Sequence, residues 1–245
     1  MSLLGKTSPA PRKVMTLFYL VDTSGSMAGT RIGTVNAAME ECIPLLKQVA
    51  QANDDAEIKV AILQFSNGCS WITPDNGPVN LENIVWRDLN ANGMTEFGCA
   101  LNELNSKLSK DGFMRSSTSA YAPVILLLSD GEPTDDWEVS LEKLKQNLWF
   151  KHAIKIAIDI ENSSDRSVLA KFTGTPEAIL DAKDTNALKS MIHKVSVRAS
   201  EFQSHSKQTT DTTTTPEADS AAIVAGVTND VENQQPIDND DWGKW

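Results

Sequence analysis

The sequence predicts an open α/β sandwich, with a mostly parallel central sheet, one antiparallel edge strand and helices on both faces. Three observations lead there. Between Val14 and Phe202, short and nearly continuous apolar runs alternate with longer stretches of helical period. Runs apolar at consecutive positions belong to strands buried on both faces, and the stretches between them are long enough for the crossover helices that parallel strands require. Polar residues also collect immediately after several of the runs, where open parallel sheets bind their ligands.

Residues 14–21 form the first strand candidate. A helical stripe follows at Val35, Met39, Ile43, Leu46 and Val49, whose spacing places them on one face. Pro44 falls inside that helix and removes a backbone donor, so a kink is expected about one turn earlier. Residues 58–65 and 70–73 read as strands joined through Asn67 and Gly68, a hairpin that supplies the antiparallel edge. A second helical stripe runs through Phe97, Leu101, Leu104 and Leu108 and leads to a strand at 123–129. A third runs through Trp137, Leu141, Leu144 and Leu148, before strands at 154–160 and 178–180. The last passes through Leu188, Ile192, Val195 and Phe202. All these apolar positions are expected in the core.

The chain of 245 residues divides into a flexible lead-in at 1–13, a folded domain at 14–203, and a disordered Ser/Thr-rich linker and acidic tail at 204–245. From Glu201 onward nine acidic residues stand against Lys207 and Lys244, so most of the net charge of −11 lies there. Such a composition buries too little apolar surface to offset its ordering entropy. The acidic balance argues against nucleic acid and anionic membrane surfaces as partners. No apolar run approaches the roughly 20 residues of a membrane span. The run at 14–21 leads into Asp22 rather than a small-residue cleavage site, so no secretory leader is expected. Cys42, Cys69 and Cys99 are odd in number and lack any C-x-x-C spacing, which predicts unpaired thiols in a reducing compartment. The expected location is the cytoplasm.

Three loops concentrate the polar chemistry. Asp22-Thr23-Ser24-Gly25-Ser26 follows the first strand, Gly93-Met94-Thr95 precedes the second helix, and Asp130-Gly131 follows the strand at 123–129. Carboxylate and hydroxyl oxygens are hard ligands suited to Mg²⁺, Mn²⁺ or Ca²⁺, and no His or Cys accompanies them to recruit zinc or copper. A turn at Gly25 aims Asp22, Ser24 and Ser26 at one point, with Thr95 and Asp130 closing in from neighbouring loops. Two anions and three neutral hydroxyls leave a bound ion electrophilic, ready to accept an outside oxygen such as a partner's carboxylate. Glu96, Glu132, Asp135 and Asp136 are expected at the rim, where they discourage an acidic partner unless the ion compensates.

With D-x-S-x-S, a later Thr and a later Asp all in order, the sequence resembles the von Willebrand factor A domain with its metal-ion-dependent adhesion site. The resemblance spans roughly residues 14–202. It implies a Rossmann-like sandwich, and a site in which Asp22, Ser24, Ser26 and Thr95 bind Mg²⁺ directly or through water and Asp130 binds through water. It further implies a non-catalytic protein-interaction module. Within the family, Ser129 to Asp136 is most similar to the bacterial tellurite-resistance TerY type, which implies a stress-response module with kinase or phosphatase partners.

Two other readings compete. An aspartate after the first strand could serve a Mg²⁺-dependent phosphotransferase or phosphatase as nucleophile, with Asp22 in that role. Haloacid-dehalogenase-like enzymes, however, carry a second Asp where this chain has Ser24. His152, His193 and His205 fall outside the strand-end cluster, and neither a G-x-S-x-G elbow nor a phosphate loop is present. Alternatively the protein is a scaffold acting through its tail, where Trp242 and Trp245 stand beside Asp238, Asp240 and Asp241.

Overall fold

The computed structural model describes residues 12–53, 56–74, 77–114, 120–130, 132–160, 166–205 and 214–232, and among these the side chains up to 198 and from 214 to 229. Strand β1 (Lys13–Asp22) leads into a short 3-10 turn and helix α1 (Thr30–Ala52). Strands β2 (Ala56–Ser66), β3 (Gly68–Trp71) and β4 (Val79–Asn80) follow, then an extended segment to helix α2 (Phe97–Lys107). Strand β5 (Val124–Ser129) precedes helices α3 (Trp137–Lys145) and α4 (Leu148–His152), then strand β6 (Ile154–Ile160). Helix α5 (Arg166–Thr173), strand β7 (Ile179–Ala182) and helices α6 (Thr185–His205) and α7 (Pro216–Glu232) complete the order.

The sheet runs β3-β2-β1-β5-β6-β7, with β4 also paired to β2. The neighbours β2, β1, β5, β6 and β7 are parallel, and β3 and β4 are antiparallel to β2. The anticipated hairpin therefore forms. Its turn uses Gly68 at φ 77°, a left-handed conformation that side chains disfavour. Alternation along β1 splits the core between the two faces. Met15, Leu17, Tyr19 and Val21 pack toward α1, α6 and α7, whereas Phe18 and Leu20 pack toward α2, α3, α4 and α5. Helices covering both faces make this a Rossmann-like open sandwich. Tyr19 is fully buried, and its hydroxyl meets Ser196 Oγ at 3.1 Å, fastening α6 to the sheet.

Several expectations are corrected. Residues 216–232, assigned to a structureless tail, form α7 and bury Ser220, Ile223, Val224 and Val227. Overall tail composition concealed this segment's AAIVAGV core, which the sheet partner makes worth ordering. Ser220 Oγ accepts the Lys155 N–H at 3.1 Å, and the buried Lys155 ammonium pairs with Glu217 at 3.0 Å. The acidic run at 238–245 and the lead-in at 1–11 lie outside the described residues. The third helical stripe breaks at Asn147, whose side chain accepts the Trp149 and Phe150 N–H groups and caps a separate helix; Leu148, expected in the core, is 69% exposed. Pro44 lies inside helix α1, as its place in the sequence leads one to expect. Phe202 lies beyond the residues whose side chains are described.

The cysteine expectation also fails. Cys69 on β3 and Cys99 on α2 form a disulfide with Cα atoms 6.0 Å apart. Helix α2 packs on the face beside this edge of the sheet, so residues separated by 30 positions meet, which spacing alone does not reveal. Cys42 is buried and unbridged, and burial pushes its thiol up to about 12.

Candidate metal centre

The parallel sheet delivers β1 and β5, neighbours in register, to the same edge. Asp22 is the last residue of β1 and Asp130 follows Ser129 at the end of β5. Asp22 is fully buried. Its Oδ1 accepts the Ser24 N–H at 2.8 Å and its Oδ2 accepts the Ser129 hydroxyl at 2.7 Å. Burial pushes the Asp22 carboxyl above its ordinary range; the hydrogen bonds from Ser129 and Ser24 pull it back, and the charge of Asp130 raises it further.

The 3-10 turn at Gly25–Met27 brings the two serines together, with Ser24 Oγ and Ser26 Oγ at 3.0 Å. The Thr95 loop is tied to this turn by its backbone. Gly25 N–H donates to the Gly93 carbonyl and Asn92 N–H to the Thr23 carbonyl, each at 2.9 Å. Gly93 adopts φ 82°, and a Cβ there would meet the Asn67 side chain at 2.6 Å, so any other residue at this crossing would be strained and would displace Asn67. Further back, Asn36 grips the Leu89 backbone through both its amide oxygen and its nitrogen, at 2.9 Å each, anchoring the extended run to α1.

Thr95 is buried behind the loops. Its N–H donates to Thr134 Oγ1 at 3.0 Å and its carbonyl accepts the Thr134 N–H at 2.9 Å, joining the second and third loops. Asp130 is 3% exposed. Its Oδ2 accepts from Arg31 Nη1 at 3.1 Å, while its buried Oδ1 has no hydrogen-bond partner among the described residues.

The structure thus links Asp22, Ser24, Ser26 and Asp130 through direct contacts or one intervening side chain, and holds Thr95 on the adjoining loop. Ser129, Thr134 and Arg31 take part although no site role was read for them from sequence. The hydroxyl just before Asp130 and the arginine nine residues after Asp22 were the available signals. Two of the four rim acids have structural work. Glu96 Oε2 accepts the Gly68 N–H at 2.9 Å and Asp135 Oδ1 accepts the Gly98 N–H at 3.1 Å, whereas Glu132 and Asp136 are exposed.

The arrangement fits a hard divalent cation. An orphaned, buried carboxylate oxygen costs free energy unless a cation or water satisfies it, and a cation would reverse the mutual repulsion of Asp22 and Asp130. The donors are carboxylates and hydroxyls, the set such ions prefer.

Among solved structures, the chain is similar to the open conformation of the pilus adhesin SpaC from Lactobacillus rhamnosus GG. The TM-score is 0.58 at 14% identity, covering 76% of this chain and 30% of that one. It is also similar to proximal thread matrix protein 1 from the mussel byssus, solved with a zinc-occupied MIDAS motif (TM-score 0.53, 15% identity, 76% of this chain and 48% of that one). A von Willebrand factor type A protein from Catenulispora acidiphila gives TM-score 0.53 at 18% identity, covering 77% and 43% respectively. At these identities the likeness is one of fold, and the chain spans about a third to a half of the length of these proteins. No curated relative matches the sequence. Residues 17–194 match the von Willebrand factor type A domain, and over that stretch, most of its length, the chain belongs to that family.

Proposed function

We propose that the protein is a non-catalytic interaction module that captures a partner's carboxylate through a divalent ion. Asp22, Ser24, Ser26 and Thr95 serve as ligands directly or through water, and Asp130 through water. Mg²⁺ is the proposed ion, with Mn²⁺ or Ca²⁺ as alternatives. When bound, the ion supplies an electrophilic position for an oxygen from outside the chain. The observation that carries the reading is the unpartnered, buried Oδ1 of Asp130 beside the buried Asp22. Membership of the family and the zinc-occupied motif of the mussel byssus protein support it. Isothermal titration with Mn²⁺ tests it: the wild-type chain should bind one equivalent, and Asp22→Asn should not. Equal binding by both would remove the reading.

We prefer this to phosphoryl transfer because the chain carries Ser24 where haloacid-dehalogenase-like enzymes carry a second Asp. A stress-response setting of the TerY type, with a kinase or phosphatase partner, is our proposal from the Ser129–Asp136 loop. The cytoplasmic placement leaned partly on unpaired cysteines, and the Cys69–Cys99 bridge removes that support. Among the described residues no helix is long and apolar enough to cross a membrane.

A further inference from the structure

The loop that carries Thr95 is held to the sheet by the turn between β2 and β3. Glu96 N–H donates to the Ser66 carbonyl at 2.9 Å, Met94 N–H to Asn67 Oδ1 at 2.8 Å, and Gly68 N–H to Glu96 Oε2 at 2.9 Å. Asn67 and Met94 are exposed, so water competes for their bond, and a hydrogen bond of this kind adds little net of what water offers. A covalent tie lies directly beside these contacts. Cys69, next to Gly68 on β3, is bridged to Cys99 in the first turn of α2. Both cysteines are half-buried rather than sealed in the core.

Resting on the metal-site reading, we propose that the Cys69–Cys99 bridge is a redox control on that site. Closed, it holds the Thr95 loop in the ion-binding arrangement; opened, it lowers the affinity for the ion. Asp22, Ser24 and Ser26 lie on β1 and the turn that follows it, whereas Thr95 ends an extended run and reaches them only across loop contacts. Fixing that loop costs conformational entropy. With the bridge closed the cost is incurred on folding. With the bridge open part of it falls on ion binding, and affinity drops. On the other side, Thr134 holds the Thr95 N–H and Asp135 the Gly98 N–H in either state, so opening loosens the loop without unseating α2. The chemistry is exchange with a dithiol. One of its thiolates attacks a bridge sulfur, and its second sulfur displaces the mixed disulfide. Cys69 and Cys99 are left as thiols and the dithiol as a cyclic disulfide, two electrons and two protons having passed to the protein. By linkage, a bound ion resists opening by the same factor that opening weakens the ion.

Isothermal titration of the full chain with Mn²⁺ tests this in three forms: oxidised wild type, wild type reduced and then freed of reductant under argon, and the Cys69→Ser, Cys99→Ser double variant. The reduced chain and the double variant should bind Mn²⁺ about tenfold more weakly than the oxidised chain, a size common for coupled sites, with far-ultraviolet circular dichroism unchanged. The reciprocal arm equilibrates wild type in a dithiol buffer and counts free thiols by alkylation and mass spectrometry. Saturating Mn²⁺ should shift the balance toward the bridged form by the same factor. Equal Mn²⁺ affinity in all three forms, tighter binding on reduction, or a thiol balance indifferent to Mn²⁺ overturns the proposal. Loss of secondary structure on reduction overturns it too, because the bridge would then serve folding alone. Failure of the metal-site reading is distinguishable: oxidised wild type and Asp22→Asn would then respond to Mn²⁺ alike, and this proposal would fall with it.

Discussion

At the scale of single residues, Asp22, Ser24, Ser26 and Asp130 were legible because they follow the ends of strands, the position at which an open parallel sheet gathers ligands, and Thr95 because it closes the loop before a helix. Arg31, Ser129 and Thr134 were not, because their roles come from contacts between loops distant in sequence. Asp22→Ala or Thr95→Ala should abolish Mn²⁺ binding and partner capture while circular dichroism stays near wild type. Ser24→Ala should weaken binding more modestly, since Ser26 and Thr95 keep their hydroxyls. A broad loss of secondary structure in Thr95→Ala would show instead that its buried side chain serves folding.

At the scale of elements, strands were easier to read than their partners. The runs of β1, β2, β5 and β6 declared themselves by continuous apolarity, whereas β4 has only two residues and α5 only eight, too short for a periodic signal. Helix α7 was hidden by the polar and acidic composition around it. Val227→Ala should lower stability by about 2 kcal/mol in urea unfolding, as expected for truncating a buried aliphatic side chain, whereas a structureless tail would give no change. The Glu217–Lys155 pair adds a pH signature. Burial raises the Glu217 carboxyl, but Lys155 and its other hydrogen bonds outweigh that and hold it below its ordinary value. Its contribution is present above the unfolded glutamate pKa and is lost as pH falls through the lower folded value. Amide protection factors in α7, corrected for intrinsic exchange, should therefore fall in acid, and Glu217→Gln should flatten that dependence.

The disulfide belongs to the same scale, because it joins β3 to α2 and no spacing rule announces it. Its closed loop predicts that the Cys69→Ser, Cys99→Ser double variant loses about 3 kcal/mol of stability by denaturant unfolding under oxidising conditions. Equal stability of variant and wild type would mean that the bridge contributes nothing to the fold.

For the molecule as a whole, the alternation of strands and helices was enough to give the sandwich, since a two-face-buried strand followed by an amphipathic stripe admits few topologies. The site follows from that topology: β1 and β5 lie side by side, and their ends bring two carboxylates to one edge. A site built from buried like charges should couple to global stability, so saturating Mn²⁺ at a hundredfold excess over its dissociation constant should stabilise the fold by about 2.7 kcal/mol, reversed by chelator. The central claim is tested most directly by crystals grown with Mn²⁺ and an anomalous difference map. The account expects one strong peak within coordinating or water-bridged reach of Asp22, Ser24, Ser26, Thr95 and Asp130. A map without that peak at saturating Mn²⁺, or with the ion held by other residues, would contradict it.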